Sequence, residues 1–468
     1  MDSTPLTPLR EFRQGVYACF TRAADALFEV ADALLTEDRA QSFVELSQAL
    51  GFQRRWPSLY AALRDGQIDR DALRRLFSRA LPAPAAAERL VLGLDTSPIH
   101  RPDARTSPDR TLVYSPNLPT GSIPIRPGWQ FSTLAVLPDP VSSWTYVLDN
   151  RRVPSDATAT TVGAPQLAEA VPLLPARPLL LADGHYSSAA WVAATAAVPC
   201  DQLLRARRDR VLYRSAPPRT GKRGAPKKDG PRFKGSDPST HGTPDAEWTG
   251  TDATERVVTV TAWPDLHLKA CREVAMTALR VTRAGAAGTA RDPRESWFWW
   301  LGGDLPPLEA ISPLYARRFG LEHGYRFDKQ ALLWDTPRVR TPAQFQRWTD
   351  LVAVAHNQVV LARPWATVAH RPWEATTRPI TPPQVRRAMP RILAQVGTPA
   401  QPPRPRGKSP GRAPGAVVRR ATRHPVIRKG RRWASGGAIS ACADPLTRRA
   451  GRPSPPPPPP VPVASCPQ

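Results

Sequence analysis

The sequence predicts an α/β protein: a mixed sheet with flanking helices, preceded by a helical segment, interrupted by a β-rich insertion and followed by a basic tail. Three observations carry this. From Arg89 to about residue 215, three apolar strand-like runs are followed by alternating helical and strand-like runs, the order of a sheet with a parallel part. Before it, residues 9–81 repeat apolar positions at three- and four-residue steps. After it, residues 217–247 are rich in Pro, Gly, Lys and Arg, and three more strand-like runs follow.

Taken in order, "FRQGVYACFTRAADALFEVADALL", "SFVELSQALGF" and "YAALRDGQIDRDALRRLF" are amphipathic helices. The piece "ELSQALGF" suits either the opening of a helix-turn-helix or plain helical packing. "LPAPAAAE" reads as a linker. "RLVLGLDTSP", "WQFSTLAVLP" and "SSWTYVLDN" are the first three strands, and the turn residues of "DTSP" end the first of them. "ATTVGAPQLAEAVPLL" and "SAAWVAATAA" are helices, with the strand "RPLLLAD" between them. "DQLLRARRDRVLYR" closes the set as a single strand. "ERVVTVTAW", "AMTALRVTRAG" and "SWFWWLGG" form the β-rich insertion. In the last of these, alternation puts Trp297 and Trp299 on one face and Trp300 on the other, as core packing residues. A helix through residues 313–330 follows, and Thr341-Pro342 caps another. Beyond Pro364 the chain is mostly Pro, Arg and Ala and ends in "SPPPPPPVPV", a composition for disorder.

The 468 residues carry 65 Lys+Arg against 40 Asp+Glu, a net charge of +25 that points to a polyanion, most simply nucleic acid. Part of the excess is local, since residues 401–432 hold eleven Lys/Arg and no acid. The five cysteines are scattered, with no C-x-x-C pair and no histidines at zinc spacing, which excludes a zinc finger and a disulfide scaffold. No apolar run is long enough for a membrane span, and the start lacks the apolar core of a signal peptide. The reading is a soluble cytoplasmic protein without a membrane partner.

Two apolar runs end alike, "LVLGLD" at Asp95 and "PLLLAD" at Asp183. In open α/β sheets, sites form beyond the carboxyl ends of strands. Taken singly, either aspartate is as well explained as a turn cap. Together with a third acid, Glu322, they make a set of hard oxygen ligands suited to two Mg²⁺ ions, with Mn²⁺ as a substitute. Glu322 lies in "PLYARRFGLEHGYRFDKQ" with Tyr315, Arg318 and Lys329. On one continuous helix at ~100° per residue those four fall within about 60° of one another. Arg318 and Lys329 on that stripe would neutralise phosphates, and Tyr315 would hydrogen-bond one. Lys222, Arg223, Lys227, Lys228 and Lys234 in the basic loop suit contact with the DNA backbone. His185 and His323 flank two of the acids and read as structural or exposed histidines.

The order Tyr315-x2-Arg318-x3-Glu322-x6-Lys329, preceded by a β-rich insertion and by "GLDTSP" and "LADGHYSS", resembles the DDE transposases of bacterial insertion sequences. Specifically, it resembles the group with a Y-R-E-K signature within the RNase H-like superfamily. The resemblance implies an RNase H-like sheet, catalytic and metal-binding roles for Asp95, Asp183 and Glu322, and cleavage of double-stranded DNA at element inverted repeats. It further implies joining of the freed 3′-OH to target DNA, a homodimer in the DNA complex, and association with the nucleoid. On this reading residues 1–88 bind the element ends. Residues 89–215 and 303–365 are the catalytic core, 216–302 the basic loop and insertion, and 366–468 a tail. Gly320 and Gly324 depart from a good helix former inside the helix of Glu322. They leave open a catalytically inactive, transposase-derived DNA-binding protein.

Overall fold

The computed structural model describes residues 6–82, 89–115, 123–138, 141–218, 225–289, 292–375, 377–404, 411, 413–417 and 420–429. The N-terminal part comprises α1 (Thr7–Cys19), β1 (Phe20–Arg22), α2 (Ala24–Thr36), α3 (Phe43–Leu46), α4 (Pro57–Asp65), β2 (Gln67–Ile68) and α5 (Arg70–Arg79). The sheet and its covering helices follow: β3 (Val91–His100), β4 (Thr111–Tyr114), β5 (Ile125–Val136), β6 (Tyr146–Val153), α6 (Ala159–Ala170), β7 (Leu179–Ala182), α7 (Ala189–Thr195) and β8 (Asp201–Ala206). Next come β9 (Val211–Arg214), β10 (Arg232–Lys234), β11 (Ala246–Thr251), β12 (Val257–Leu268), β13 (Cys271–Arg283) and β14 (Glu295–Leu301). The chain then turns helical with α8 (Leu308–Ala316), α9 (Phe319–Gln330), α10 (Pro342–Ala362) and α11 (Pro382–Val396).

The heart of the sheet runs β6-β5-β3-β7-β8, antiparallel from β6 to β3 and parallel from β3 through β8. This is the expected order of three strands and then strands alternating with helices, consistent with an RNase H-like core. Leu179, Leu180, Leu181 and Ala182 of β7 are all buried, as a central parallel strand with both faces covered must be. Alternate residues go to two separate cores: Leu92, Leu94, Leu180 and Leu204 to one, Val91, Leu179, Leu181 and Leu203 to the other. The tryptophans of β14 divide in the same way, Trp297 and Trp299 to the first and Trp300 to the second.

Several expectations are corrected. "DTSP" does not end its strand: β3 runs on to His100, paired with β5 from Gly128 to Val136, because β5 offers a long partner edge. "DQLLRARRDRVLYR" is two strands, β8 and β9, broken at Arg207–Arg210 where successive charged residues are exposed. The insertion is not a separate β body. β14 pairs antiparallel with β8, so β12, β13 and β14 extend the same sheet, which has twelve strands. "ELSQALGF" yields only the four-residue α3, whose Phe43 packs on Trp348 of α10 at 4.9 Å; plain packing wins over a helix-turn-helix.

The helical N-terminus is not set apart from the rest. The buried Arg13 of α1 donates to Asp32 of α2 at 2.7 and 3.0 Å, to Gln358 of α10 at 2.7 Å and to the Gly397 carbonyl at 3.0 Å. The last of these partners lies in the region expected to be tail. There α11 is an ordered amphipathic helix. Thr381 and Gln384 cap it, Val385, Met389 and Ile392 enter the core, and Arg386 donates to the Leu34 carbonyl at 2.8 Å. Apolar residues at three- and four-residue steps across 385–396 carried that helix in the sequence, hidden among prolines. The polyproline end lies outside the described residues. Among the described residues, no helix is long and apolar enough to cross a membrane.

Candidate active site

Asp95 and Asp183 reach the site on neighbouring parallel strands. Leu94 stands opposite Ala182 in the β3–β7 register, so the two aspartates follow at the same level. β7 ends at Ala182, which frees Asp183 to head a turn; its carboxylate accepts from the His185 backbone N–H at 3.0 Å and meets His185 Nδ1 at 2.8 Å.

The third acid comes from α9, and here the continuous helix is corrected. α8 ends at Ala316 and α9 begins at Phe319. Between them, Arg317, Arg318, Gly320 and Leu321 each donate to the carbonyl three residues back, in a tight 3₁₀-like join. Pro313, inside α8, lacks the N–H that a regular helix would use. Tyr315 and Arg318, three apart across this join, still face the same side. Arg318 lies among the acids: Nη2 donates to Asp95 Oδ2 at 2.9 Å, and Nη1 is 3.7 Å from Glu322 Oε1.

Close packing brings α9 to the strand. Gly93 of β3 leaves room for Leu321, since a Cβ there would lie 2.7 Å from Leu321 Cδ1. Gly324 does the same against Thr145, where a Cβ would meet Oγ1 at 2.6 Å. That explains one of the two glycines that weaken this helix. The Tyr325 hydroxyl donates to the Asp95 carbonyl at 3.0 Å. Lys329 Nζ donates to the Pro98 carbonyl at 3.0 Å, further along β3. Arg317 donates to the Leu137 carbonyl at 2.9 Å. Buried His356 of α10 joins Asp328 through Nδ1 at 2.6 Å and the Thr145 carbonyl through Nε2 at 2.8 Å. Sequence reading missed Tyr325, Asp328 and His356 because each acts through a partner more than 20 residues away.

The electrostatics follow from this crowding. Burial, together with repulsion from Asp183 and Glu322, pushes the Asp95 carboxyl up to about 6 despite Arg318. Burial works in the same direction on Asp183, but the hydrogen bond and charge of His185 outweigh it and hold that carboxyl below its ordinary value. The His185 imidazole is raised in return by its Asp183 partner. Burial opposes the Arg318 charge; Asp95, Tyr315, Asp183 and Glu322 more than offset it and raise its pKa. Tyr315, its ring 4.7 Å from Phe298, is pushed up to about 12 by burial. Burial lowers the pKa of Lys329.

The donor set therefore fits hard divalent cations: three carboxylates, one of them undercompensated by the single arginine it touches. Asp95, Asp183 and Glu322 interact electrostatically, yet among the described residues no three His, Cys, Asp or Glu side chains form a compact metal-binding group. Glu322 is 58% exposed and turned to Arg318. His323 is exposed. Of the loop cations, Lys227 and Lys228 are exposed and Lys234 closes β10, while Lys222 and Arg223 lie outside the described residues.

Beside the acids opens a cleft of about 720 Å³ whose lining includes Asp183, Arg205, Arg283, Tyr315 and Arg318. The family model for DDE superfamily endonuclease matches residues 15–265, just over half of the chain. The chain belongs to that family. In this DDE endonuclease the matched span holds Asp95 and Asp183 and ends before Glu322. No curated protein matches it.

Proposed function

We propose that this DDE endonuclease is the transposase of a bacterial insertion sequence, cutting double-stranded DNA at the element's inverted repeats and joining the 3′-OH to target DNA. One observation carries the reading: acids from two adjacent strand positions and from a helix packed on one of those strands gather around a single arginine. Asp95, Asp183 and Glu322 would hold two Mg²⁺ ions, or Mn²⁺ in their place. When bound, such ions activate the attacking oxygen and stabilise the leaving oxygen of a phosphodiester.

The chain's own residues prepare that step. Above a pH of about 6 Asp95 is ionised and offers its charge to a cation. Tyr325 and Lys329 hold two carbonyls of β3 and so fix the height of Asp95 against α9. Lys329 thus serves the site from below, by position. Arg318 reaches both Asp95 and Glu322, and once other cations neutralise them it is free to bind phosphate. Tyr315 borders the same approach. Lys227 and Lys228 extend the basic surface toward the DNA backbone. A homodimer, one subunit per element end, with the N-terminal helices on the inverted repeats, completes the proposal.

The exposed Glu322 and the open spacing of the acids favour one second reading, a DNA-binding protein that no longer cuts. Incubation with the DNA flanking the gene, with Mg²⁺ or with chelator, separates the two. Mg²⁺-dependent 3′-OH breaks at the element boundary are expected. Tight binding without breaks would replace the transposase by the inactive relative.

A further inference from the structure

The cleft beside the acids is built by three parts of the chain. β8 supplies Arg205, the end of β13 supplies Arg283, and the α8–α9 join supplies Tyr315 and Arg318, with Arg207 and Arg210 at the rim. β14 of the insertion lies against β8 with Phe298 opposite Arg205, so the insertion closes the wall that the core leaves open.

Five arginines against two lining acids, Asp183 and Asp292, is an excess that the chain does not neutralise. Asp183 is taken by His185 and Asp292 by Arg256 at 2.7 Å. Arg283 has only the neutral Ser312 hydroxyl, at 2.7 Å. Among the described residues, the side chains of Arg205 and Arg210 have no ion pair or hydrogen bond. Arg205 is half-buried, and a half-buried guanidinium without an acceptor calls for an anion from outside. Burial and the Arg205 charge both lower the pKa of Arg283, as expected of cations crowded without a counter-ion.

Size selects the anion. A space of about 720 Å³ has a linear dimension of about 9 Å, less than the ~12 Å width of one duplex groove. A duplex cannot enter, whereas a few unpaired nucleotides can. Tyr315 and the exposed ring of Phe319 at the lining offer faces to unstacked bases, and the arginines offer donors to their phosphates.

We propose that this cleft is a single-strand site, taking an unpaired stretch of the DNA strand beside the scissile phosphate through Arg205, Arg283 and Arg210. The strand's identity rests on the DNA-cleavage reading; the single-strand selectivity does not.

The probe is a fluorescent duplex carrying an oligothymidine extension on one strand, compared by anisotropy with the same duplex blunt, in chelator so that no cutting occurs. The wild-type chain should bind the extended probe more tightly. R205A/R283A should lose that preference, with affinity for the extended probe down on the order of tenfold and a salt slope shallower by about 0.7 per arginine removed. Blunt-duplex affinity should stay within about twofold. R210E, at an exposed turn, gives the same readout in a variant whose fold is not at issue. Equal binding of both probes by the wild type, or an unchanged preference in both variants, overturns the proposal. If the preference is present and arginine-dependent but Mg²⁺ yields no cleavage, the transposase reading fails and the single-strand site stands. Cleavage without the preference means the reverse.

Discussion

Asp95 is under tension from its neighbours: buried, paired with Arg318, and still raised to about 6 by two other acids. Its charge is therefore held ready for a cation. Asp95→Asn, Asp183→Asn and Glu322→Gln should each lower Mg²⁺-dependent cleavage more than about 100-fold, since even outer partners of metal ligands are worth 10–100-fold. DNA affinity in chelator should be kept. Wild-type cleavage by any of the three in a gel assay removes that residue from the site. The two glycines of α9 give a second residue-scale prediction. Gly324→Ala drives a Cβ against Thr145 Oγ1 and should cost ~1–3 kcal/mol in urea unfolding, overriding the gain in helix propensity. Gly320→Ala, whose nearest neighbour would be 3.4 Å away, should instead gain up to ~1 kcal/mol. Equal effects at the two positions would contradict the close approach at Thr145.

At the scale of elements, α9 is placed by its partners more than by its own helix propensity. The buried His356–Asp328 pair ties it to α10. Burial opposes the imidazolium, but Asp328 and the Thr145 carbonyl outweigh it and raise the His356 pKa above 6.5. A raised histidine stabilises the fold fully below the unfolded value of 6.5, and the contribution is lost as pH climbs through the folded value. Urea unfolding should therefore show stability declining from neutral to alkaline pH. His356→Ala should remove that slope and cost about 3–5 kcal/mol near neutrality by leaving Asp328 buried alone. A wild-type profile that matches the variant's would mean that the pair carries no charge. Existence and type of elements were readable wherever a period was clean, as in β5, β12, α10 with its Thr341 cap, and the alternating tryptophans of β14. The break between α8 and α9 was not, because Arg317 and Arg318 suit an α-helix and a 3₁₀ turn equally.

Across the whole molecule, the ends of the chain meet. α1 and α2 share a core with α10 and α11, and Arg13 and Arg386 stitch them together. Ending the chain at Thr381 should therefore uncover the sites of Val385, Met389 and Ile392. At about 1.5–3 kcal/mol for each buried side chain, the loss is several kcal/mol. Thermal melting of the purified truncation measures it, and an unchanged midpoint would show that α11 is dispensable. One-dimensional reading divided the chain into a helical front, a core and a tail. That division follows composition, and composition has no term for two apolar stripes nearly 400 residues apart finding each other.

By itself the sequence determined the acids and the strands that carry two of them. A carboxylate after an apolar run, like a basic signature at fixed spacing, is a local pattern that the chain keeps however it folds. Only the tertiary structure decided that Arg318 would lie between Asp95 and Glu322, that Lys329 would serve a strand carbonyl, and that the insertion would join the main sheet to wall an arginine-lined cleft. Those are outcomes of which surfaces exclude water together. Burial couples residues by distance in space, and spacing along the chain does not record it.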